Sequence, residues 1–122
     1  MKKVIHGNLD DQVNKHPETR GWVLGSFMEK YPEFLSDGVE VKWARHKKGE
    51  EMKGFRSEKS SKTLTILIEG KFKVIFDGGE EVSMLAKQGD FELYDASTVE
   101  HVGIALEDSL LLVIRFPVKH RK

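Results

Sequence analysis

Leu64-Thr65-Ile66-Leu67-Ile68-Glu69-Gly70-Lys71-Phe72-Lys73-Val74 is the stretch on which the fold turns. From Thr63 to Ile68 every residue is apolar or β-branched, a composition that suits a pleated, half-buried strand. Glu69-Gly70 breaks the run. Beyond it Phe72, Val74 and Phe76 alternate with Lys71 and Lys73, the period-two pattern of a strand with one face in a core. Asp77-Gly78-Gly79 then reads as a hairpin turn.

The same rhythm continues on both sides. Toward the C-terminus, strands are expected at Glu81 to Leu85, Phe91 to Tyr94, His101 to Ile104 and Leu110 to Phe116, the last ended by Pro117. Lys87-Gln88-Gly89-Asp90 is another turn. Toward the N-terminus, Val39, Val41 and Trp43 alternate with Glu40 and Lys42, until Lys47-Lys48-Gly49-Glu50 breaks the strand. Before that the chain reads as a cap. Asn8 is a helix N-cap followed by acidic residues, Leu9 and Val13 share one helical face, and His16-Pro17 ends the helix. Residues 21–28 are apolar and β-leaning, and 31–35 suit a single helical turn. Short strands with turn signals every ~8–12 residues and no alternating helices point to a mainly β sandwich or barrel. We read one domain over residues 1–122: an N-terminal cap (1–38) with a short helix, a barrel core (39–117) and a basic tail (118–122).

A chain of 122 residues buries roughly two-thirds of its unfolded surface, enough for a core without disulfides. It has no cysteine, which excludes disulfides, zinc–thiolate sites and cysteine nucleophiles. Twenty basic and twenty acidic side chains cancel and are interleaved, so no nucleic-acid partner is expected. The apolar stretch near the start stops at Ile5, and no run approaches the ~20 residues that span a bilayer. A cytoplasmic protein with no membrane partner is the expectation.

The segment from Val39 to Pro117, about two-thirds of the chain, resembles the cupin family, whose fold is a jelly-roll barrel. Gly49, the run from Leu64 to Val74, and Gln88-Gly89-Asp90-Phe91 followed by His101 twelve residues past Gly89 carry that resemblance. It implies a metal held by two histidines and a glutamate from a first motif and a histidine from a second. Counted back from Gly70, the histidine positions fall at Phe55 and Ser57 and the glutamate position at Thr63. His101 stands for the second-motif histidine, displaced by one residue. Most of the ligand set is therefore replaced, and no cofactor is expected. Were a divalent metal bound, His46, Glu58 and His101 would be its candidate ligands, in a register that turns Arg56 and Glu58 inward.

The candidate ligand-binding residues are His101, His46, Phe55, Arg56, Ser57, Thr63 and Thr65, an apolar wall with a few polar groups. Two readings stay open. In one the barrel holds a small, partly apolar molecule without a metal. In the other it is an enzyme (a dioxygenase, an isomerase or similar) using a non-standard metal site or acid–base chemistry around His101. His46 is alternatively a surface residue at a strand end, and Glu58 a solvated charge. A homodimer is expected from the apolar density, with residues 21–28 a candidate for exchange between subunits. Ser26-Phe27-Met28 fits a serine–lysine peptidase poorly, and neither a Gly-x-Ser-x-Gly elbow nor a phosphate loop is present. The adjacent carboxylates Asp10-Asp11, Glu50-Glu51 and Glu80-Glu81 read as solubilising charges.

Overall fold

Asn8 accepts a hydrogen bond from the Asp11 backbone N–H at 3.2 Å and so opens helix α1, Leu9–Lys15. The computed structural model describes residues 4–54 and 61–118. Asp10, in the first turn of α1, reaches the Arg45 guanidinium at 2.7 and 2.8 Å and accepts from the Trp43 indole at 2.9 Å. Those bonds, Arg45 first, hold the Asp10 carboxyl down at about 2 and dock the helix on the barrel wall. Asp10 is therefore a docking group rather than only a solubilising charge.

Nine strands follow among the described residues: β1 Trp22–Leu24, β2 Glu40–His46, β3 Glu51–Gly54, β4 Ser61–Glu69, β5 Phe72–Phe76, β6 Glu81–Leu85, β7 Phe91–Asp95, β8 His101–Ala105 and β9 Ser109–Pro117. They form two antiparallel sheets, ordered β1-β2-β9-β4-β7 and β3-β8-β5-β6, which face each other as a jelly roll. The core lies between them, around Leu67, Phe72, Val74, Leu85, Ala105 and Leu111.

Most expected strands are present. Residues 21–28 do not form one strand: only Trp22–Leu24 is extended, and it pairs with β2 of the same chain between Gly21 and Gly25. The turn expected over 31–35 is a 3₁₀ turn at Pro32–Phe34. β3 is an element the hydrophobic pattern did not announce. Its exposed residues, Glu51 and Lys53, are charged, and Met52 is its one apolar side chain.

Candidate functional site

The register of the five-stranded sheet sorts its inward-facing residues into cross-strand rows. One row runs Trp22, Lys42, Val113, Thr65, Glu92. The next, two residues along, runs Glu40, Arg115, Thr63, Tyr94. On the other side come Leu67, Leu111 and Ala44, all buried. One half of the barrel interior is thus polar and the other apolar. In the facing sheet His101 is flanked by Gly54 and Phe76. Between the sheets lies a cavity of about 170 Å³, bounded by His46, Thr63, Thr65, Tyr94 and His101 together with Phe72 and Val113. That volume is close to the ~150 Å³ that accepts a benzene ring.

His46 ends β2 on the same face as Lys42 and Ala44, because side chains alternate along a strand. Its side chain is 9% exposed, and the ring packs on Phe72 with centroids 5.6 Å apart. Nδ1 lies 3.2 Å from a Glu50 carboxylate oxygen, while Nε2 is buried without a partner among the described residues. Burial, the largest cause, pulls its pKa below the ordinary 6.5, against the opposing Glu50. The neutral ring donates from Nδ1 to Glu50, which leaves Nε2 as an acceptor with nothing to accept.

His101 opens β8. Its Nε2 lies 3.3 Å from the Tyr94 hydroxyl, and its Nδ1 is buried without a partner among the described residues. Burial first, then the Arg115 charge, lowers its pKa. Tyr94 is pushed up to about 12 by burial and by Glu92, so it stays a phenol. Whichever of the two donates, the other ring nitrogen of His101 has a bond left to make inside the cavity. Thr63 and Thr65 are 3% and 5% exposed and place hydroxyls on the opposite wall. Glu92, itself buried, accepts from the Ser83 hydroxyl, and burial raises its pKa.

The His101 ring fits because position 54 has no side chain. A Cβ there would stand 1.9 Å from a ring carbon, well inside any real contact. Gly54→Ala is therefore expected to turn His101 away from Tyr94 and destabilise the chain by about 1–3 kcal/mol. Loss of the His101–Tyr94 coupling in NMR spectra, alongside a lowered melting temperature, checks it.

The lowered histidine pKa values have a signed consequence. The unfolded chain takes up both protons first, so stability is lost as the pH falls below 6.5 toward the folded values. Glu92 has the opposite sign: its carboxyl ionises later in the fold, so it costs stability as the pH rises above 4.5. Glu92→Gln should therefore steepen the fall in melting temperature between pH 6.5 and 4.5, measured against the wild type.

The structure brings together four of the residues singled out from sequence, His46, His101, Thr63 and Thr65. His46 is inside the barrel, not on its surface. Phe55, Arg56, Ser57 and Glu58 lie outside the described residues. Lys42, Glu92, Tyr94 and Arg115 were missed. In β7 the apolar residues Phe91 and Leu93 were the natural inward pair, yet they are 64% and 51% exposed while Glu92 is 9% exposed.

No protein-family model matches the chain, and no curated protein matches its sequence. Solved structures do match in shape. Ectoine synthase from P. lautus superposes with a TM-score of 0.66 at 17% identity, over 93% of this chain and 78% of that one. An RmlC-like cupin protein from Desulfovibrio desulfuricans gives 0.59 at 21% identity, over 68% and 76%. The chain has the cupin fold. KdgF from Halomonas sp. agrees, at 0.57 and 20% identity over 69% and 73%.

A cupin barrel implies a metal, and the donor set can be tested against one. At the glutamate position stands Thr63, whose hydroxyl is a poor ligand beside a carboxylate. Among the described residues no three histidine, aspartate or glutamate side chains converge. Among the described residues, those that line this cavity do not by themselves make a transition-metal ligand set.

Proposed function

We propose that this cupin binds a small, partly apolar molecule inside its barrel, without a metal centre. The observation that carries the reading is a pair of histidines lining one cavity, His46 and His101, each with a buried ring nitrogen (His46 Nε2, His101 Nδ1) that has no hydrogen-bond partner among the described residues. A buried polar atom left unpaired costs about 1–3 kcal/mol. A molecule that satisfies either nitrogen gains a bond the chain does not supply. Phe72, Val74, Leu111 and Val113 provide the surface for its apolar part.

The test is a thermal-shift screen with a panel of small metabolites. A compound at a hundred times its Kd adds about 2.7 kcal/mol, or about 10 °C for a domain of this size. At least one compound should raise the melting temperature, and His101→Phe or Thr65→Leu should remove most of the rise. If none raises it, or if the rise survives both substitutions, the reading fails.

The His101–Tyr94 contact favours a second reading, acid–base catalysis. A neutral imidazole beside a protonated phenol can take up and return a proton near neutrality. Turnover of a bound compound, abolished by His101→Asn with binding retained, would support it; turnover unchanged in that variant would end it.

We also propose a homodimer. The edge strands β6 and β7 leave Val82, Met84, Phe91 and Leu93 about half exposed or more. Such apolar edges invite pairing with a second copy about a two-fold axis. Light scattering at micromolar concentration should give twice the 13.9 kDa chain mass. A monomer mass contradicts it.

A further inference from the structure

Lys42 is the one member of its cross-strand row that carries a full positive charge toward the cavity, between Trp22 and Val113. Two other basic side chains nearby, Arg45 and Arg115, are paired. Arg45 has Asp10 at 2.7 Å and Glu69 at 3.0 Å. Arg115 has Glu40 at 3.3 Å. Among the described residues no carboxylate lies within 4 Å of the Lys42 ammonium.

The surroundings of Lys42 add positive charge rather than remove it. Its ammonium stands 5.5 Å from the centroid of the Trp22 ring, and the Arg115 guanidinium stands 4.8 Å from the same ring. Two cations thus converge on one indole, with Glu40 as the one carboxylate bound to either. Burial, then Arg115 and Arg20, pull the Lys42 pKa down, the response of a cation short of a counter-charge. Glu92 shares the row but does not neutralise Lys42. It lies three strands away, ~14 Å at the usual strand spacing, and it is engaged by Ser83.

We propose that the molecule bound in this barrel carries a carboxylate, received by Lys42 beside the Trp22 ring, while its body extends along Val113 and Leu111 toward His46. The inference rests on the small-molecule reading above and adds the charge of the ligand to it. An ammonium–carboxylate bond in a half-buried site is stronger than the same pair in water and stronger than a neutral hydrogen bond. His46 Nε2, an acceptor, calls for a hydroxyl or N–H at the other end of the molecule.

The experiment uses matched probes: isobutyrate, pyruvate and benzoate, each against its primary amide, titrated into the full chain and followed through the His46 and His101 ring signals by NMR. At least one carboxylate should bind ten-fold or more tightly than its amide. The preference should fall below two-fold in Lys42→Met and largely return in Lys42→Arg. Amides that bind as well as the acids, or a carboxylate preference unchanged in Lys42→Met, would overturn the inference and leave the cavity reading standing. Silence of both histidines toward all six probes would overturn both.

Discussion

Leu67→Ala is expected to cost about 3–5 kcal/mol of stability, the upper part of the range for a leucine truncated in a packed core. Leu67 is fully buried in the middle of β4, and β4 is sandwiched between β9 and β7. Its row partner Leu111 and the facing residues Phe72, Val74 and Leu85 belong to the same cluster. Strands hydrogen-bonded on both sides have little freedom to collapse into the space left behind, so the void persists. The cost therefore combines lost transfer energy with a cavity that remains. Chemical denaturation at neutral pH reads it as a lower midpoint with an unchanged slope.

Gly70→Ala should be as damaging, for a different reason. The chain passes from the five-stranded to the four-stranded sheet at this residue, between β4 and β5. Gly70 has φ +99°, a conformation L side chains rarely adopt. A Cβ there would stand 2.3 Å from the Asp108 carbonyl oxygen and 2.6 Å from the Ser109 Cα, both backbone. Ser109 is tied into the same corner: its hydroxyl donates to a backbone carbonyl there, and the Lys71 N–H donates to it at 3.1 Å. Neither side of the corner can yield, so a loss of at least about 3 kcal/mol is expected, combining strain with overpacking. Circular dichroism melts check it. An alanine variant as stable as the parent would mean that this corner is looser than described.

Gly70 also shows what was legible in the sequence. Its place after an apolar β-branched run announced a tight crossover, and Gly89 did the same ahead of β7. The turn at Asp77-Gly78-Gly79 and the Asn8 cap were equally plain, because each depends on residues adjacent in the chain. The interior was harder to read. In β4 both faces are apolar or β-branched, and the barrel buries Thr63 and Thr65 while Leu64 and Ile66 stay half-buried outside. In β7 hydrophobicity points the wrong way altogether, with Glu92 inside and Phe91 out. Alternation fixes which residues share a face, but not which face is the inner one. That choice is made by pairing across the sheet, where Thr65 meets Glu92 and Thr63 meets Arg115 and Tyr94. His46 and His101 are far apart in sequence and meet one cavity only because β2 and β8 belong to facing sheets. The strand β3, with Met52 its one apolar side chain, offered too little pattern to be seen.

The proposed binding rests on two neutral histidines, His46 and His101, that line one cavity of the barrel. A long-range ¹H–¹⁵N spectrum of the histidine rings tests it most directly, recorded at pH 7 before and after adding the compound that most raises the melting temperature. Neutral imidazoles are expected for His46 and His101 in the free protein, with ligand-induced shifts at His46 Nε2 or His101 Nδ1. Imidazolium signals at pH 7, or a stabilising compound that moves neither nitrogen, would contradict it.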